Sequence, residues 1–230
     1  DDHGGFGSLW GLRTAERRHP CYNYSWEHGD CWNGPTWPYE TSRVLTGAAN
    51  VIHTMRDTEP PLTTSQYFAM LLTFARQHTR STATNDTARP LGSGHIFENI
   101  HPDLGYWNNR ARMYWSDNPQ RNMGDDYLHS TFCDLVLGGL IGIRPEPNGT
   151  VHVRPLVPAS ANWDHFAADH VLVHGKVLSV VWDASGQHYG RFGRGLIVLV
   201  DGDVAARRDS LGELIVDVSS SMGLKGGPYG

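Results

Sequence analysis

The period of the apolar residues changes once along this chain, after Gly142, and that change limits what the chain can fold into. Before it, apolar side chains recur at helical spacing; after it they fall into short runs that alternate or are wholly apolar. Leu45, Ala48, Ala49, Ile52 and Met55 predict a helix over about residues 42–55, with Ser42 placed to cap its start. Pro60 and Pro61 then break the chain, and Thr63 with Gln66 makes a capping box for a second helix reaching about His78. Tyr67, Phe68, Leu71, Leu72 and Ala75 form its apolar stripe, and the two helices read as one antiparallel hairpin. A third helix is expected from about Asp125, capped by Asp126 or Ser130, with Phe132, Leu135, Val136 and Leu140 facing inward. Beyond Gly142, residues 150–156, 171–173, 177–182, 196–200 and 214–218 are β-rich and punctuated by Gly, Asp and Pro. The expected class is α+β. Residues 1–142 form a helical region carrying the functional loops, and residues 143–230 an antiparallel, sandwich-like β-domain.

A single loop stands out within the helical region. Residues 31–40 read Cys-Trp-Asn-Gly-Pro-Thr-Trp-Pro-Tyr-Glu and lead straight into the first helix. Gly34, Pro35 and Pro38 restrict the backbone, so the indoles of Trp32 and Trp37 are aimed in a set direction. Rigidly held aromatic faces suit a ligand that stacks, as sugars do, and Asn33 and Tyr39 supply hydrogen-bonding groups beside them. The competing reading is that both tryptophans are core. Glu98 forms a second focus, lying between Phe97 and the apolar residues that precede a Pro-Asp-Leu-Gly turn. A carboxyl in such company is partly desolvated and becomes a competent acid or base. Alternatively, Glu98 is an ordinary helix-end or ion-paired glutamate. His129 reads first as a structural histidine capping its helix.

Composition narrows the function classes. A net charge of −5 with no basic stripe removes electrostatic support for nucleic-acid binding. The longest apolar run, residues 196–200, is too short to cross a bilayer. Asp1-Asp2-His3-Gly4 is polar, with no secretory signal, and reads as a processed or truncated end. Cys21 and Cys31 flank an aromatic loop and suit a bridge in a secreted protein, with two ordinary thiols as the alternative. Cys133 is expected to be an inert buried thiol. Sequons at Asn23, Asn85 and Asn148 point the same way, toward a secreted, extracellular glycoprotein. No ligand cluster with metal spacing is visible, so no metal and no cofactor are expected; a calcium held by Asp201 and Asp203 is the sole alternative.

Four segments then occur in a telling order: Cys31–Ser42; Phe97-Glu98-Asn99 with Asp103 and Gly105; Asp126–Asp134; and Gly139-Leu140-Ile141-Gly142-Ile143-Arg144-Pro145. Together they resemble the C-terminal half of six-hairpin (α/α)6-toroid glycoside hydrolases. The likeness is to the mannosylglycerate-hydrolase-like and glucosidase-like branch, with a trailing β-domain similar to that of α-L-rhamnosidases. The resemblance implies inverting hydrolysis of a glycosidic bond by two carboxyls roughly 6.5–9.5 Å apart. Glu98 matches the family's general base, and Trp32, Asn33, Trp37 and Tyr39 its sugar subsite, with Tyr106, Trp107, Asp126 and His129 as the further pocket candidates the resemblance implies. The family's general acid belongs to an upstream region beyond this chain; Glu27, Asp30 and Glu40 are the local alternatives. The expected partner is an oligosaccharide or glycoside, together with the missing half as a separate chain, or a second copy in a homo-oligomer. The other classes are a lectin-like carbohydrate-binding module without catalysis and a subunit that completes a partner chain.

Overall fold

The computed structural model describes residues 4–22, 32–55, 58–59, 61–78, 96–108 and 131–219. The described residues fall into two compact units, one within Asp1–Val51 and Pro60–Leu135, the other within Ile52–Glu59 and Val136–Gly230. Among them no helix is long and apolar enough to cross a membrane.

The first unit opens with a minimal antiparallel pair, β1 (Gly7–Ser8) and β2 (Gly11–Leu12). Helix α1 runs Pro38–Thr54, four residues earlier than its apolar spacing suggested. Proline suits a first helical position, where its missing N–H would have no partner, so the helix starts there. Ser42 therefore lies inside α1, not at its cap, and its hydroxyl donates back to the Tyr39 carbonyl at 2.7 Å. Leu45, Ala49 and Ile52 are buried, while Met55 emerges past the helix end. Helix α2 spans Thr64–Gln77 with the expected capping box: Thr63 Oγ1 accepts from the Gln66 N–H, and Gln66 Oε1 accepts from the Thr63 N–H at 2.8 Å. Its buried stripe is Tyr67, Leu71, Phe74 and Gln77, spaced by three and four. Leu72 is turned outward instead. Gln77 is buried because its amide donates to the Trp10 carbonyl, and Tyr67 because its hydroxyl donates to the Leu135 carbonyl at 3.2 Å. A short helical turn, α3 (Phe132–Asp134), ends this unit and continues as a π-helical stretch, Leu135–Leu140, whose residues from Val136 on belong to the second unit. Cys133 is exposed, against expectation, while Leu135, two residues on, takes the buried position. The expected start of this helix, with Asp126, His129 and Ser130, lies outside the described residues.

The second unit holds two antiparallel sheets. One has three strands, β3 (Ile143–Pro145), β4 (Thr150–Val153) and β9 (Leu214–Asp217), in the order β3-β4-β9. The other has four in sequence order: β5 (His165–Val173), β6 (Lys176–Asp183), β7 (Gly195–Val200) and β8 (Asp203–Arg208). One core draws on both sheets: Ile143, Val151, Val153 and Val216 from the first; Val173, Leu178, Val180, Trp182, Leu196 and Val198 from the second. Each such aliphatic side chain contributes about 1.5–3 kcal/mol relative to exposure. The opposite face of β6 and β7 is covered too. Val181, Ile197 and Leu199 pack there beneath Tyr189 and Phe192, which is why residues 196–200 are apolar without alternation.

That cover is anchored by Asp183, whose side chain is fully buried. Its Oδ1 accepts from the N–H groups of Ser185 and Gly186, and its Oδ2 from those of His188 and Tyr189, at 2.7–3.1 Å. Burial pushes this carboxyl up, but the amides and the Ser185 hydroxyl outweigh it and hold it well below the usual carboxylate range. Two-residue turns with positive φ at both positions, His174-Gly175 and Asp201-Gly202, join β5 to β6 and β7 to β8. Asp201 is thereby occupied, accepting from Lys176 Nζ at 2.9 Å and the Val177 N–H at 3.0 Å. Asn148 sits exposed in the β3–β4 turn, its side chain accepting from the Thr150 N–H. Asn23 and Asn85 lie outside the described residues.

Candidate active site

The two segments singled out in the first unit meet through backbone hydrogen bonds. Thr36 and Ile100 exchange both of their bonds, N–H to carbonyl, at 3.0 and 2.9 Å. Thr36 also bridges to Arg13, and Ile100 to Trp107. The tryptophan loop and the Glu98 segment are thus neighbouring extended strands, with Trp37 one residue from this junction and Glu98 two.

Residues 97–108 fold back on themselves. His101 and Tyr106 are joined backbone to backbone, as are Asn99 and Asn108, and the Asn108 amide donates to the Asn99 side-chain oxygen at 2.7 Å. The tip of this hairpin, Pro102–Gly105, is fixed from outside. The buried Arg13 guanidinium donates to Asp103 Oδ1 at 2.6 Å and also to the Gly7 carbonyl, while the Trp10 N–H donates to the Pro102 carbonyl. Gly105 has φ +74°, and a Cβ there would fall 2.4 Å from the Trp10 ring, so both conformation and space require glycine.

On this scaffold Glu98 is half-buried, and loss of solvent raises its carboxyl above the ordinary value. It is a better proton acceptor than a free glutamate. Burial lowers His101, with Asp103 opposing and Arg13 assisting that shift. The neutral ring fits its bonds, since Nδ1 accepts from the N–H groups of Asp103 and Leu104 at 3.2 Å each. Burial also raises the phenol of Tyr106, whose ring lies 5.0 Å from that of His101.

The indoles of Trp32 and Trp37 are stacked, centroids 3.9 Å apart and planes 11° from parallel. Trp37 is the covered member at 5% exposure, and Trp32 the presented one at 59%. A cleft of about 430 Å³ borders Trp32, lined also by Phe6, Leu12, Arg13, Glu40 and Val44. The carboxylate on this cleft is Glu40; Glu98 does not belong to its lining.

The remaining candidates are placed unevenly. Trp107 is fully buried with Phe97 and Ile100, so it has no surface for a sugar and can shape a pocket only from behind. Asn33 spends its amide on the Cys21 carbonyl at 2.8 Å. Tyr39 is exposed, with the Arg43 guanidinium 5.8 Å from its ring centre. Cys21 is an exposed free thiol whose own N–H donates to His19 Nδ1, and the other half of the expected bridge, Cys31, is not among the described residues. Cys31, Glu27, Asp30, Asp126 and His129 lie outside the described residues. Sequence reasoning missed Arg13, the buried cation that ties the site's hairpin to β1. An arginine in a glycine-rich stretch carries no periodic signal, and its partner lies 90 positions away.

Residues 1–130 match the family model of the mannosylglycerate hydrolase MGH1-like glycoside hydrolase domain. Among solved structures, a chain titled "Sialidase" superposes with a TM-score of 0.76 at 33% identity, covering 95% of this chain. This chain spans 18% of that one's length.

Proposed function

Because the chain belongs to the MGH1-like glycoside hydrolase family, we propose that it carries the general base, and some of the sugar subsite, of an inverting glycosidase. The observation that carries this reading is the desolvated carboxyl of Glu98, mounted two residues from the Thr36–Ile100 pairing that also fixes Trp37. In this mechanism Glu98 takes a proton from a water whose oxygen attacks the anomeric carbon. The glycosidic C–O bond breaks as the general acid delivers a proton to the leaving oxygen. Trp32, backed by Trp37, offers its outer face to the apolar side of a sugar ring.

The general acid belongs, in this proposal, to a region of the enzyme beyond these 230 residues. The helices α1 and α2 are two of the toroid's dozen. Exposed Phe6, Leu9, Leu72 and Leu104 support that reading, as does a hollow of about 840 Å³ lined by Phe6, Leu12, Leu62, Ala69 and Met70. Apolar surface of this kind is what further hairpins would cover.

A substrate whose leaving group needs no proton separates the base from the missing acid. Dinitrophenyl glycosides of several sugars should be hydrolysed by this chain. Glu98→Gln should lower turnover by at least about 10²-fold while leaving binding to immobilised glycans intact. Retained binding with no turnover in either protein would favour the lectin-like module, and unchanged turnover in Glu98→Gln would remove Glu98 from the mechanism.

A further inference from the structure

Asp164, His165 and His188 come together at one edge of the four-stranded sheet. Each can offer one ligand atom, and those atoms lie within 4.8 Å of one another. The Asp164 carboxylate reaches one nitrogen of each ring, with Oδ1 at 2.7 Å from His165 Nδ1 and Oδ2 at 3.4 Å from His188 Nε2. The imidazoles are stacked, centroids 3.8 Å apart and 14° from parallel. We propose that these three residues form a binding site for a divalent first-row transition ion, with Zn²⁺ as the best fit.

The donor set selects the ion. Two imidazole nitrogens and one carboxylate oxygen suit Zn²⁺, Ni²⁺ or Cu²⁺, whereas Ca²⁺ and Mg²⁺ favour all-oxygen shells. Bonds of about 2.0–2.2 Å to each ligand lie in the plane of each imidazole, so the two rings must turn out of their parallel stack to meet one ion, which rotation of exposed side chains permits. All three residues face solvent, so water completes the coordination.

A second, independent observation is that the backbone of each ligand is fixed without an ion. The Asp164 carbonyl accepts from the Ala184 N–H at 2.8 Å. His165 stands opposite Asp183 in the β5–β6 register. The His188 N–H donates to buried Asp183 at 2.7 Å, and the adjacent Tyr189 ring lies 6.0 Å from that of His165. The buried carboxylate that closes the loop over the sheet also delivers His188 to His165, far from it along the chain. The backbone therefore needs no ordering when the ion arrives, and only the exposed side chains have to turn.

Titration calorimetry on the untagged full chain tests this. ZnCl₂ should bind saturably at one ion per chain and raise the melting midpoint, while CaCl₂ under the same conditions should show no saturation. His188→Ala and His165→Ala should each weaken Zn²⁺ binding by at least about tenfold and abolish the zinc-dependent rise in melting. Their zinc-free melting midpoints, expected to match the parent because both rings are exposed, show that the fold is kept; Asp164→Asn serves in place of a variant that does not fold. No saturable Zn²⁺ binding, a loss below about tenfold in every variant, or Ca²⁺ binding of equal strength would overturn the assignment.

Discussion

The two units solve the same problem differently. In the β unit nearly every long aliphatic residue of β6 and β7 is covered, on one side by the three-stranded sheet and on the other by the Asp183-anchored loop. The helical unit keeps Tyr67, Leu71 and Phe74 inside yet leaves Phe6, Leu9, Val44, Leu72 and Leu104 in solvent. The β unit exposes apolar residues as well, but Leu172, Val204 and Ile215 lie on β5, β8 and β9, outside that covered pair. The helical unit adds polar tethers between distant segments to its burial: Arg13 to Asp103, Gln77 to Trp10, Thr36 to Ile100.

Paired truncations test that contrast most severely. Leu178→Ala, at a fully buried β6 position, should cost about 2–5 kcal/mol in urea denaturation; Leu72→Ala, on the open side of α2, should stay within about 0.5 kcal/mol. Equal costs would erase the distinction. Asp183→Ala should lower the melting midpoint and open residues 184–194 to proteolysis, with β3, β4 and β9 still protected from amide exchange. In the helical unit, Thr63→Ala removes one side of the capping box and should cost about 1 kcal/mol by chemical denaturation.

The smallest effect has the opposite sign. The folded state holds the Glu98 carboxyl above its ordinary value, so it binds that proton more tightly than the unfolded chain does. Stability therefore falls as pH rises from the ordinary carboxylate range, about 4.3, through the raised value. Glu98→Gln should be slightly more stable than the parent at neutral pH and equal to it near pH 3. A variant less stable at neutral pH would mean that the ionised carboxylate is stabilised by a partner rather than penalised by burial.

How much of this was legible in the sequence follows from the range of each signal. The capping box at Thr63 and Gln66 acts within four residues and appears where it was expected. The early start of α1 was hidden because Pro38 reads first as a loop residue. Strand β8 was missed because Asp203–Arg208 lies on a sheet edge with mostly exposed side chains, leaving no apolar alternation. Phe97, Ile100 and Trp107 cluster as core, and nothing in an aromatic's neighbours along the chain separates a sugar platform from such a cluster. The pairings that build the site, Arg13 with Asp103 and Thr36 with Ile100, join residues far apart along the chain. No local pattern encodes them.

The Trp32–Trp37 pair has an optical consequence. Two indoles lying nearly parallel at 3.9 Å couple their ultraviolet transitions, so the loop behaves as a single chromophore with its own circular-dichroism couplet. Anything that settles on the outer ring or pries the rings apart alters that couplet, and the loop can report its own occupancy without an added dye.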